Sequence, residues 1–316
     1  MKRIDFRYAL EWPFAFSESF ISYVNFSIKG EIVFFEDNGL IIPLILKKKY
    51  FFKIGYILHK PFAIDRAISI DEEEGFLYKL LCFCKTDLKL HFSKTILHVC
   101  IYHPPRMSKI VLEDIGILRL SFQGKKDIDI FNNFQPQYRN IIRKAEKDNI
   151  KIIKGLDQIP IFYGLYEESM ENENVVYDSI EAIKLLCNSD YNNIDCLVAY
   201  VDGKPDAALL NTIGGGNVYN LFAASKKKPK HKGSLKFLHW VAIQEYLKQN
   251  IKSYQLGGIR IGNPTNNSKL QRIADFKLRF GAEVDKGYHF VYVCNSLYYS
   301  LYKILINIKH GIEKNI

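Results

Sequence analysis

No stretch of the 316 residues offers about 20 uninterrupted apolar side chains, so no segment is expected to span a membrane. The N-terminus, MKRIDFRYALEWPF, places Asp5, Arg7 and Glu11 where a secretory signal needs an unbroken apolar run. A cytoplasmic protein is expected, in at most peripheral contact with the inner membrane surface. Cysteine is scarce: Cys82, Cys84, Cys100, Cys187, Cys196 and Cys294 show no CxxC spacing and lie in apolar surroundings such as LLCFC. Reduced core thiols are therefore expected, with neither a metal site nor a disulfide framework. Also missing are an internal repeat, a heptad run for a coiled-coil arm, a Ser or Cys partner that would make His231 or His239 part of a triad, and an obvious general base.

What is present is a large apolar fraction and an excess of positive charge. Hydrophobic residues make up 48% of the chain, ample for a core, and the length suggests two domains at roughly 100–200 residues each. Lys and Arg outnumber Asp and Glu by 44 to 34, a net charge of +10 that favours polyanionic partners. The tail NSLYYSLYKILINIKHGI comes closest to a membrane span, but Lys303 interrupts it and its aromatics and trailing cations suit a surface helix. A helix over 296–316 docked on the body is expected, with an interfacial membrane anchor as the alternative.

The first third reads as strands: EIVFFE and LIIPLIL around Asp37-Asn38-Gly39, whose Asn-Gly supplies the positive φ of a tight turn, then YFFKIGYIL, ILHVCIY and ILRLSF. One helix follows Ile70, where Asp71 to Glu74 supply N-terminal negative charge. The polar stretch QGKKDIDIFNNF reads as a crossing between a domain over 1–130 and one over 131–295. Beyond it come a helix over PQYRNIIRKAEKDNIKII, helices at 157–170 and 179–188, a meander of CLVAYV, DAALLNTI and VYNLFAAS, and the basic loop KKKPKHKGS. A long helix LKFLHWVAIQEYLKQN, the strand SYQLGG, a further helix and a strand through YHFVYV complete the series.

That further helix carries IADFKLRFG. On a helix from Leu270 to Phe280, apolar residues gather on one broad arc, and Lys277 falls near its middle. Its stem could lie on Phe276 and Phe280 with the ammonium in solvent; otherwise a buried cation needs a function, because burial is costly and lowers its pKa.

Four segments in series resemble the FemABX-type branch of the GNAT acyltransferase superfamily: RNIIRKAEKDNIKI, DGKPDAALLNTIGGGNVYNLFAAS, LKFLHWVAIQEYLKQNIKSYQLGGI and ADFKLRFGAEV. The resemblance covers residues 130–294 and, more weakly, 31–122. It implies an α/β (α+β) fold of two GNAT-like domains side by side, each a mixed, largely antiparallel sheet flanked by helices, with the substrate cleft between them. Members transfer an acyl or aminoacyl group to an amine, usually on a cell-envelope precursor. The resemblance also associates the lysine of Phe276-Lys277-Leu278-Arg279-Phe280 with the active site, where a fixed cation would stabilise the oxyanion of aminolysis.

Other candidates carry alternatives of their own. Arg139 and Arg143, one helical turn apart, could grip an acceptor phosphate or form an ordinary solvated face. Gly257 and Gly258 would allow close approach to a ligand, or mark a bulge before the loop IRIGNPTNNS. Tyr219 and Tyr254 are candidate cleft residues that could equally be core. The run Lys230-His231-Lys232-Gly233-Ser234-Leu235 stands where acyl-CoA-using GNAT enzymes carry Gln/Arg-x-x-Gly-x-Gly/Ala. Gly233 is kept, while the leading residue is Lys and the last is Leu. Lys230, Lys232, Gly233 and Ser234 would thus hold the pyrophosphate of acyl-CoA, the favoured donor, or contact aminoacyl-tRNA, the alternative. A solvated basic loop remains the plain reading. The acceptor is expected to be a phosphorylated sugar or lipid-linked glycan. The competing function is a catalytically idle GNAT-like module that binds RNA or anionic membrane through its basic surface.

Overall fold

The computed structural model describes residues 1–5, 9, 12–96, 100–148, 150–171, 176–188, 193–261 and 268–313. After a short strand β1 (Lys2–Ile4) comes helix α1 (Glu18–Ile28), capped by the Ser17 side chain. Strands β2 (Glu31–Asp37) and β3 (Leu40–Lys49) form the expected hairpin, with Asn38 at φ 52° and Gly39 at φ 77°, both positive as a two-residue turn of this twist requires. Next come β4 (Phe52–Ile57), β5 (Phe62–Ala63) and α2 (Ile70–Thr86). Ser69 and Glu72 close a capping box around the first turn of α2, which fixes its start.

The next strand, β6 (Phe92–Thr95), lies upstream of the strand expected at ILHVCIY. Residues 97–99 lie outside the described residues, and Tyr102 makes only an isolated bridge to Tyr288. Strand β7 (Ile110–Ser121) follows, and the polar crossing after it contains helix α3 (Asp127–Asn133), whose Ile130 and Phe131 reach the core.

The remaining order is α4 (Pro136–Lys147), β8 (Lys151–Lys154), α5 (Ile159–Glu171), α6 (Ile180–Cys187), β9 (Ile194–Val201), β10 (Lys204–Gly214), β11 (Asn217–Ser225), α7 (Ser234–Lys248), β12 (Ser253–Arg260), α8 (Ser268–Leu278), β13 (Glu283–Val293) and α9 (Ser296–Glu313). Strands β9, β10 and β11 form the antiparallel meander read from the sequence. Side chains alternate along it. Leu197 and Ala199 face α4 and α7, while Cys196 and Val198 face α5, α6 and α1.

All strands join one mixed, mostly antiparallel sheet in the order β1-β2-β3-β4-β6-β13-β7-β12-β11-β10-β9-β8, with β5 beside β3. Each half contains one parallel pair, β4 with β6 and β11 with β12. The closing strands are exchanged at the centre: β7 from the first half pairs with β12, and β13 from the second pairs with β6. Strands β7 and β13 also pair with each other, and Arg119 clasps Asp285 across them at 2.6 and 3.0 Å. Helix α9 docks on the first half through Tyr298, Tyr299 and Tyr302, packed on Phe52 and Phe92.

Candidate active site

The parallel pair β11–β12 is bonded over only three positions, Asn217–Tyr219 against Ser253–Gln255. Beyond these the strands part. β11 stays with β10 across a bulge at Leu210/Asn211, and β12 stays with β7 across a bulge at Gln255/Gly257. The sheet therefore opens into a V, and two cavities meet there. The larger, about 420 Å³, is walled by α5, α7 and α8 and includes Asn220, Phe222, Leu235, His239, Phe276 and Lys277. The smaller, about 280 Å³, is reached past α1 and includes Tyr23, Tyr219, Asn220, Gly257, Gly258 and Lys277. No Asp or Glu lines either cavity among the described residues.

Lys277 is common to both cavities because of how α8 is anchored. Phe276 and Phe280 pack on Tyr138 and His239, which turns the face between them toward the V. The ammonium comes to 3.2 Å from the position a Cβ on Gly257 would occupy. It meets no carboxylate among the described residues, and burial pulls its pKa down to about 8. The arc read from the sequence is only partly covered, since Ile273 and Leu278 are exposed.

Gly257 is required twice over, by its φ of 86° and by the space the ammonium takes. The loop 262–267 after this strand lies outside the described residues. Tyr219 borders the smaller cavity, its ring 4.3 Å from that of Phe14. Tyr254 does not line either of these two cavities. It is fully buried, and its hydroxyl meets His239 Nδ1 at 2.9 Å and Asn211 Oδ1 at 3.4 Å. A polar network beneath the V continues through Asn220, which donates to Asn211 at 2.8 Å.

His239, set aside in the sequence for want of a Ser or Cys partner, lies in the wall of the larger cavity. Burial first, then Lys277 and Lys236, push its pKa down to about 3, so the imidazole is neutral, and its Nε2 has no partner among the described residues. A histidine in the apolar run LKFLHWVAI gives no signal until Tyr254 and Lys277 are brought beside it.

Arg139 and Arg143 are each engaged within the protein. Arg139 donates to the carbonyls of Asn132 and Phe134 at 2.5 and 3.1 Å, closing the end of α3. Arg143 lies 5.3 Å over the Phe131 ring, and neither residue lines either of the two cavities at the V. Orphan carbonyls at a helix end draw a nearby guanidinium more firmly than solvent does. Arg139→Ala is thus expected to lower Tm by a few degrees, read by thermal melting, and to leave the Michaelis constant for the acceptor unchanged.

The basic loop is drawn inward rather than laid open as a cradle. The Asp206 carboxylate, buried, accepts from Lys230 N at 2.7 Å, His231 N at 3.2 Å and the Ser234 hydroxyl at 2.5 Å. Gly233 N donates to His231 Nδ1 at 3.0 Å, and Ser234 N to the His231 carbonyl at 3.1 Å. Of the candidates Lys230, Lys232, Gly233 and Ser234, none lines either of the two cavities at the V; Leu235, in the first turn of α7, lines the larger.

Residues 132–269 match a family model described as an acetyltransferase (GNAT) domain. Over that stretch, less than half of its length, the chain is similar to a GNAT domain. The V between β11 and β12, with Lys277 beside it, lies within or directly against that domain. The fold of the whole chain is FemX-like: the crystal structure of FemX superposes with a TM-score of 0.69 at 12% identity, over 95% of this chain and 99% of that one. A C-terminal domain of a putative lysylphosphatidylglycerol synthetase from Agrobacterium fabrum gives 0.54 at 10% identity, over 85% and 87%. The L-PGS from Bacillus licheniformis gives 0.53 at 10%, over 87% and 92%. No curated protein sequence matches the chain. Among the described residues no cluster of His, Cys, Asp or Glu could hold a metal ion, and no helix is long and apolar enough to cross a membrane.

Proposed function

We propose that the chain transfers an acyl or aminoacyl group to an amine of a cell-envelope glycan, carried as a nucleotide-sugar or lipid-linked precursor. The observation that carries this reading is the Lys277 ammonium, unpaired among the described residues and held where two cavities meet at a split in the sheet. Two openings onto one cation suit a reaction between two substrates. A closed cleft, or Lys277 paired with an internal carboxylate, would have favoured an idle binding module.

The donor carbonyl would enter from the larger cavity and the acceptor amine from the smaller. The amine lone pair forms the new C–N bond, the carbonyl electrons move onto oxygen, and Lys277 stabilises that oxyanion in a partly desolvated wall. Collapse restores the carbonyl and breaks the bond to the leaving oxygen or sulfur, which takes up a proton as the nitrogen gives one up. With no carboxylate in either wall, that proton travels through water or the substrate itself.

For the donor, the Asp206 anchor shifts the balance from acyl-CoA to aminoacyl-tRNA. A pyrophosphate at this loop would compete with a buried carboxylate for amides already committed. The exposed lysines at 227, 228 and 232 are free of that anchor and suit a polyanion spread over the surface. The two synthetase neighbours are named for a lipid product, which fits a lipid-linked acceptor. Titration with tRNA and with acyl-CoAs at several salt concentrations tests the donor. Expected is tRNA binding that weakens steeply with salt, with Lys227→Ala and Lys228→Ala each flattening the slope by about 0.7–0.9. Salt-insensitive acyl-CoA binding with no tRNA binding overturns the choice of donor.

A further inference from the structure

Helix α9 has two apolar faces, and the body of the protein uses one. At about 100° per residue, Tyr298, Tyr299 and Tyr302 share the side that packs on Phe52 and Phe92, while Leu297, Leu301, Ile304, Leu305 and Ile308 share a separate arc of about 100°. All five aliphatic residues of that second arc are exposed, Leu297 by 67% and Ile304 by 55%. Between the faces on the far side lies a polar stripe with Ser300, Lys303 and Asn307.

The bare arc is continued by the turn between β3 and β4. Phe51, exposed by 52%, rests its ring 6.0 Å from that of Tyr298, and Tyr50 beside it is exposed by 79%. Lys48, Lys49 and Lys53 flank these rings and are exposed as well. The segment 47–53, KKKYFFK, carries no acidic residue. Aliphatic, aromatic and cationic groups are thus exposed on two elements that meet at Phe51 and Tyr298, in the combination that rests at the boundary between headgroups and acyl chains. A second copy of the chain is a poorer occupant. A two-fold contact apposes the same patch to itself and would bring the two sets of lysines together.

We propose that the bare face of α9 and the β3–β4 turn form a docking surface for an anionic lipid bilayer, with the aliphatic arc at the level of the upper acyl chains and Lys48, Lys49 and Lys53 among the headgroups. This rests on the surface alone and stands whether or not the chain is an acyltransferase. The measurement is co-sedimentation of the intact protein with vesicles of phosphatidylglycerol and phosphatidylcholine, and with vesicles of phosphatidylcholine alone. Binding to the anionic vesicles is expected, weaker on the neutral ones and weakened by salt. The pair Leu301→Glu, Leu305→Glu and the pair Lys48→Glu, Lys49→Glu should each lower the bound fraction constant at least ~tenfold. Both pairs are exposed, so melting temperatures near wild type are expected and confirm that the fold is retained. Wild-type protein that remains in the supernatant with anionic vesicles overturns the proposal. So does a dimer, seen by light scattering, that the leucine pair converts to monomer while vesicle binding is absent.

Discussion

Lys277→Met is expected to abolish acyl transfer, by about 10²–10³-fold in turnover, while Tm at pH 7 holds or rises. The kinetic loss follows from removing the cation at the junction of the two cavities. The stability effect follows from linkage. Burial lowers the Lys277 pKa from the ordinary 10.5 to about 8, so between these values the unfolded chain binds more protons than the folded one. Wild-type stability therefore rises with pH across that window, and the full penalty of the buried charge applies below about 8. Met removes both the penalty and the slope. Transfer by the wild type should decline as pH rises through about 8, because the cation that faces the oxyanion is lost; a lysine acting as general base would give the opposite profile. Undiminished turnover in the mutant removes Lys277 from the chemistry, and a large fall in Tm would assign it to the core.

Gly257→Ala carries the second large effect. At φ 86° an alanine is strained by about 1–2 kcal/mol, and its methyl would lie 3.2 Å from the Lys277 ammonium. The ammonium is the far end of a flexible side chain, so the chain should fold and Lys277 should give way. A displacement of about 1 Å at a catalytic group can cost about 10²-fold. Turnover is thus expected to fall by that order while Tm drops only by the strain, read by steady-state kinetics and thermal melting. If Gly257→Ala turns over as fast as wild type, the ammonium has room to spare and its position is not critical.

Much of the fold was legible because its causes are local. Asn38-Gly39 and Asp202-Gly203 announce their hairpins through backbone angles that few residues adopt, and the periods of α4 and α7 follow from the spacing of their own apolar residues. Lys277 stood out for a local reason too, as a charge within an apolar arc. The strand expected at ILHVCIY falls in part on residues outside the described ones, and the spacing of Arg139 and Arg143 does not say whether solvent, a ligand or a neighbouring helix end meets a guanidinium.

By itself, the sequence determined most of the longer helices, the hairpins and meander, and one cation out of keeping with its surroundings. Tertiary structure alone decided the rest. The exchange of β7 and β13 at the centre of the sheet joins residues more than 150 positions apart. The parting of β11 from β12 depends on two bulges set by different neighbours, β10 and β7. The pairing of His239 with Tyr254, and the Asp206 carboxylate beneath the basic loop, likewise bring together groups from separate elements. Local spacing fixes backbone angles and the face a side chain takes on its own element, whereas the partner that meets that face is chosen by long-range packing and hydrogen bonding.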